Sequence, residues 1–185
     1  MATERTPERE QSLLDDEKQT TPWADARKRI ASREEGQANW LATVRPDGRP
    51  HLMPLIAVWI DGAFHFLAGE GTRKAKNLAA DGRCVIGMSS FELPSLDIVV
   101  EGHAEPLGAA DAVRDAAEVF KKNGWPLEVR GVEVFGPNAP TAGPPPYRIF
   151  RMIPSKAFGL PGQFEMDKFD PADLPKPTRW EFGGA

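Results

Sequence analysis

Residues 38–67, ANWLATVRPDGRPHLMPLIAVWIDGAFHFL, constrain the fold more than any other segment. Three apolar runs are separated by Pro46-Asp47-Gly48 and Asp61-Gly62, turn signals that reverse an extended chain after a few residues. This spacing predicts a meander of antiparallel strands near 39–45, 50–60 and 63–68. Two further β-like runs follow, Arg83 to Ser90 and Leu96 to Pro106, the second centred on Ile98, Val99 and Val100. A third, YRIFRMIPSKAFGL, begins at Tyr147, and the closing TRWEF alternates Trp180 and Phe182 with charge, as an edge strand does.

Helices are few. Ala109 to Asn123 repeats apolar positions Ala112, Val113, Ala116, Ala117, Val119 and Phe120, and Gly124 stands where a helix-ending glycine belongs. A shorter helix is predicted from Pro22 to near Gly36, with Trp23, Ala26 and Ile30 on one face, Thr21 as cap and Pro22 in the first helical position. Gly136 to Pro146 holds five prolines and two glycines and reads as a loop. Many short antiparallel strands with few helices predict an α+β, barrel-like fold in place of alternating βαβ units. Residues 1–20 are polar, without aromatics, and read as a flexible tail before one domain spanning 21–185.

A chain of 185 residues is long enough for one substantial core. Its 23 basic and 27 acidic residues give a net charge of −4, so the broad cationic field of a nucleic-acid binder is absent. Trp40, Trp59 and Phe64 are accordingly read as packing residues, not stacking platforms for bases. The N-terminus is charged where a signal peptide is apolar, and no window has the length of a membrane span. The lone cysteine, Cys84, lies in an apolar run and closes no internal disulfide. A cytoplasmic protein without membrane or nucleic-acid partners is expected.

The stretch AGEGTRKAKNL, Ala68 to Leu78, concentrates the chemistry. Gly69 and Gly71 leave a strand, and Thr72 is suited to cap a helix running through Asn77. That helix starts with Arg73, Lys74 and Lys76, although the helix dipole disfavours cations in a first turn by roughly 0.3–1 kcal/mol each. A bound phosphate accounts for the cluster, taking hydrogen bonds from free amides, the Thr72 hydroxyl and the basic side chains. A solvated helix end whose charges serve solubility is the alternative.

Other motifs fail. The glycines lack the third member of the dinucleotide fingerprint, and no Walker sequence occurs. His51, His65 and His103 have no partner at metal-ligand spacing and read as structural or surface residues. Ser89, Ser90 and Ser95 lack a nucleophile elbow, and Cys84 reads as core. Asp15-Asp16 and Glu34-Glu35 read as solvated charge. With no acid, base or nucleophile nominated, the chain is expected to borrow its chemistry from a cofactor.

Four segments, Gly48 to Gly62, Phe64 to Leu78, Ala157 to Leu160 and Pro177 to Phe182, resemble in order the pyridoxamine 5′-phosphate oxidase-like split-barrel superfamily of flavin and deazaflavin proteins. The resemblance covers roughly 38–182 and implies a six-stranded antiparallel split β-barrel with peripheral helices. It implies that Thr72, Arg73 and Lys74 hold the cofactor phosphate, supported by Lys76 and Asn77. The ring would lie on the backbone of Met53, Pro54 and Leu55 and of Leu67 and Ala68. It further implies a homodimer with the cofactor at the subunit interface, near which Trp180 would cover the site. The vitamin B6 oxidases carry an arginine and a lysine where this chain has Met53 and Val58, and TRWEF lacks their substrate motif, so pyridoxine phosphate is not expected as substrate. The implied activity is hydride transfer between FMN, alternatively F420, and a small organic molecule; a non-catalytic flavin or haem binder is the other reading. Arg45, Arg49 and Arg179 are candidates for the longer, more anionic F420 tail.

Overall fold

The structure, a computed structural model, describes residues 4–14, 18–32, 38–90, 92–137, 139, 141–162 and 168–184. Its elements in chain order are β1 (Arg9–Ser12), α1 (Trp23–Ala31), β2 (Asn39–Val44), β3 (Pro50–Leu55), β4 (Ala57–Ile60), β5 (Ala63–Gly69), α2 (Arg73–Ala80), β6 (Arg83–Ser89), β7 (Leu96–Pro106), α3 (Ala110–Lys122), β8 (Glu128–Arg130), β9 (Glu133–Phe135), β10 (Tyr147–Pro161) and β11 (Thr178–Glu181).

The fold is α+β: one antiparallel sheet with three helices among the described residues. The sheet has eleven strands, not six: seven run in the order β1-β11-β10-β7-β6-β2-β3, β5 and β9 branch from β10 and carry β4 and β8, and among the described residues no ladder joins β3 to β4 to close it. Fifteen-residue β10 is its spine, pairing with β5, β7, β9 and β11 along its length. The turn signals act as expected. Asp61 (φ 48) and Gly62 (φ 76) form the left-handed corner between β4 and β5, and Gly48 (φ 82) sits in the β2–β3 hairpin, where Arg45 N donates to Arg49 O.

Four expectations need correction. The run 50–60 breaks at Ile56, because β3 pairs with β2 whereas β4 pairs with β5, so one straight strand cannot serve both. Thr178–Glu181 is not an edge strand: β10 flanks it on one side and β1 on the other. Arg9–Ser12, within the segment expected to be a flexible tail, is that β1. Pro22 is the N-cap of α1 rather than its first helical residue, and Thr21 instead bridges to the C-terminal region, its N–H donating to Thr178 Oγ1 and its Oγ1 accepting from Lys176 N. Asp15-Asp16 and Glu34-Glu35 lie outside the described residues.

Alternation along the strands divides the core. Phe64, Phe66 and Phe150 face an inner cluster with Trp23, Trp180 and Phe182, in which Phe66 and Phe150 stack with centroids 5.5 Å apart. Gly159 leaves room for Trp180, whose ring occupies the space a Cβ there would need. On the other face of β5, Leu67 joins Val58, Tyr147 and Ile149 under the apolar side of α3, which contributes Val113, Ala116, Ala117 and Phe120. Burying each such large side chain contributes about 1.5–3 kcal/mol.

Candidate functional site

Thr72 caps α2 as its sequence predicts. Its Oγ1 accepts from Ala75 N (3.3 Å) and donates to the Gly69 carbonyl (2.8 Å), so the hydroxyl proton is committed to the turn. Lys76 N donates to the Thr72 carbonyl. The amides of Arg73 and Lys74, ahead of these, have no carbonyl one turn behind them within the helix.

The cations divide. Arg73 and Lys76 are exposed, whereas Lys74 is 1% exposed and its ammonium donates to the Thr141 carbonyl of the proline-rich loop. Burial lowers the Lys74 pKa to about 8. Asn77 is fully buried: Nδ2 donates to Thr43 Oγ1 (2.9 Å), while Oδ1 has no partner among the described residues. Thr43 lies opposite His51 in the β2–β3 register, its Oγ1 3.5 Å from His51 Nδ1. The His51 pKa is lowered by partial burial and then by Arg45, Lys74 and Arg73; every charge acting on it is positive. Arg45 Nε is buried without a hydrogen-bond acceptor among the described residues. The β2–β3 hairpin and the start of α2 thus bring together Arg45, His51, Arg73 and Lys74, with a donor left over on Arg45.

Next to this cluster lies an apolar pocket of about 280 Å³. Pro54, Leu55 and Leu67 line it from β3 and β5, Phe120 and Trp125 from the end of α3, and Thr141 from the proline-rich loop. The loop is tied to the end of β5 by Gly69 N donating to the Ala142 carbonyl (2.9 Å). Thr141 therefore joins the halves, its carbonyl holding Lys74 and its residue walling the pocket.

Residues 26–158, over two thirds of the chain, match the sequence pattern of pyridoxamine 5′-phosphate oxidase. The chain belongs to this family. No curated protein matches it. Among solved structures, an FAD-binding protein from Mesorhizobium loti is 17% identical with TM-score 0.55, covering 82% of this chain and 95% of its own. A putative pyridoxamine 5′-phosphate oxidase from Listeria innocua is 14% identical with TM-score 0.54, covering 76% and 99%. The HupZ protein of Group A Streptococcus is 16% identical with TM-score 0.52, covering 75% and 94%. At these identities the likeness is one of fold.

Within this pyridoxamine 5′-phosphate oxidase family member, the structure gathers Pro54, Leu55, Leu67, Thr72, Arg73, Lys74 and Asn77 around the pocket and the start of α2. Met53 is half-buried on β3, opposite Leu41. Ala68 follows Leu67 on β5 and turns its side chain to the inner core, its backbone running on beside the pocket wall, and Trp180 is fully buried, 5.5 Å from Trp23. Arg49 is paired with Asp47 (2.7 Å), and Arg179 bonds Gln11 (2.7 Å) and Glu181 (3.2 Å). Of the three arginines considered for a longer anionic tail, Arg45 alone joins the cluster. Sequence reasoning missed His51, although the Pro46-Asp47-Gly48 turn fixes the register that sets it against Thr43. The walls from Phe120, Trp125 and Thr141 come from distant chain and leave no local signal.

Proposed function

We propose that the protein is a flavin-dependent oxidoreductase that holds FMN, with the phosphate at the start of α2 and the ring in the apolar pocket, and acts on a small organic molecule. One observation carries this reading: Arg45, His51, Arg73 and Lys74 converge with no opposing carboxylate acting on His51, beside a pocket walled by Leu55, Leu67 and Trp125. The donor set fits a phosphate ester. Two first-turn amides point out of the helix and can donate to a phosphoryl oxygen, and the Arg45 guanidinium, whose Nε has no acceptor among the described residues, brings positive charge beside them.

The chain's own residues bind and orient. Arg73 and Arg45 neutralise the phosphate, Lys74 braces the Thr141 wall, and Leu55, Leu67 and Trp125 exclude water from the ring. A bound flavin would supply the redox chemistry. FMN is favoured over F420 because neither Arg49, paired with Asp47, nor Arg179, bonded to Gln11 and beside Glu181, joins the Arg45–Arg73 cluster to extend it for a longer anionic tail. The fold shared with the FAD-binding protein of Mesorhizobium loti supports a flavin of this type.

The reading includes a homodimer. The outward face of β2 and β3 presents Trp40 and Leu52, 47% and 55% exposed, with Val44 also exposed, an apolar strip suited to a second copy.

Flavin affinity tests the assignment. Arg45→Ala with Arg73→Ala removes two charge-assisted donors, each worth about 1.5–3 kcal/mol, so FMN binding followed by fluorescence quenching should weaken at least a hundredfold. Unchanged affinity in a folded double variant overturns the site. The loaded protein should also reduce a dye steadily; no turnover with any reductant would leave a binder, not an oxidoreductase.

A further inference from the structure

The apolar pocket lies at the C-terminal end of α3; at the other end of the same helix a second cavity, of about 410 Å³, opens between helix and sheet. Leu67 lines the first and His65, two residues earlier on the same face of β5, lines the second. Its volume is within the range of small-molecule sites.

The polar groups inside it are incompletely used. His65 is 5% exposed, and its Nδ1 lies 3.3 Å from the Ala63 carbonyl. A carbonyl only accepts, so Nδ1 carries the proton and Nε2 is a free acceptor, with no partner among the described residues. Arg151 stands beside it in the β5–β10 register. One guanidinium nitrogen, Nη2, reaches Glu105 (3.2 Å), but Nε is buried without an acceptor among the described residues. Asp61 and Asp115 line the cavity too, and neither has an ion pair among the described residues. The fourth charged group there, Arg5, donates from Nη2 to the Gly183 carbonyl.

This arrangement selects its ligand by charge. Two unpaired carboxylates would repel a phosphate dianion, and among the described residues no three His, Cys, Asp or Glu side chains are grouped to hold a metal. A purely apolar ligand would leave the Arg151 guanidinium and His65 Nε2 with no polar partner across the cavity. What matches is a molecule with a carboxylate for Arg151, an ammonium for His65 Nε2 and the two aspartates, and an apolar body for Ile60, Leu107, Ala112 and Ile153. We propose that this cavity binds a free α-amino acid with an apolar side chain.

The test compares three probes on the purified full chain by titration calorimetry: L-leucine, 4-methylpentanoate, which lacks the ammonium, and isoamylamine, which lacks the carboxylate. Leucine should bind at least about tenfold more tightly than either. Arg151→Gln should cost about tenfold or more. Asp115→Asn, on the exposed side of α3 and harmless to the core, should weaken leucine and isoamylamine but not 4-methylpentanoate. FMN affinity should be the same in both variants, so this site and the flavin site fail or stand separately. No detectable leucine binding, leucine no tighter than the single-charge probes, or indifference to both substitutions overturns the proposal.

Discussion

His65 shows what burial does to one titratable residue. Its pKa falls to about 4 from 6.5, chiefly through desolvation on β5, with Arg151 adding to the shift. Between those values the unfolded chain binds a proton that the native chain refuses, so stability is lost as pH drops from 6.5 through about 4. The loss amounts to about 3 kcal/mol once both transitions are passed. Urea unfolding midpoints across that window should decline steeply in the parent and less so in His65→Gln; parallel curves would show that His65 is not the group. Cys84 gives the opposite case. Burial pushes its thiol up to about 12, so iodoacetamide at pH 8 should leave the native protein unlabelled and modify it only when denaturant opens the β6 region. Some residue roles were readable in advance and others were not, for a physical reason. Thr72 and Gly62 act through neighbours within three residues, so their types alone disclose a cap and a left-handed corner. Lys74 carries a positive charge in the sequence, but only the distant Thr141 carbonyl reveals that its ammonium turns inward.

At the scale of elements, legibility follows how much of an element's stability is its own. β7, α3 and the β2–β3 hairpin carry apolar periodicity and glycine punctuation, and the structure has them where the pattern puts them. β1 carries neither. Arg9, Glu10 and Gln11 are exposed, and the strand exists because β11 offers an unpaired edge. Three-residue β8 and β9 form a hairpin turned at Gly131 (φ 67), of which β9 alone pairs with β10. β1 has a second task that ties it to a helix. α1 has no side-chain cap of its own, and the carboxylate of Glu10 accepts from Trp23 N (3.0 Å) in its place. Glu10→Ala should therefore destabilise the protein by about 1 kcal/mol, the usual worth of a lost cap, while Glu8→Ala should be nearly neutral. Thermal unfolding of the two variants checks this; equal melting temperatures would mean that α1 owes nothing to β1.

For the whole molecule, the distribution of apolar surface decides what can assemble. Outward positions of β2 alternate Trp40, Ala42 and Val44, and β3 sets Leu52 and Pro50 directly opposite Ala42 and Val44. The sheet continues across Val85 and Gly87 of β6, which pair with Ala42 and Trp40. These side chains stand on the reverse of the strands that carry His51, Met53 and Leu55, so whatever covers the strip also fixes the strands bearing the candidate phosphate cluster and ring pocket. No sequence pattern announces this, because a strand buried on both faces reads the same whether its second cover is a helix or another copy. If the cover is a second copy, a charge at the centre of the strip must be buried without a partner in the dimer yet remain solvated in the monomer. Leu52→Asp should then yield a folded monomer by sedimentation equilibrium, with circular dichroism unchanged and FMN affinity reduced along with assembly. Raising protein concentration should restore both together, since dissociation is set by mass action whereas a damaged flavin pocket is not. A Leu52→Asp protein that stays dimeric would place the interface elsewhere, and one that is monomeric with undiminished FMN binding would show that a single chain completes the site.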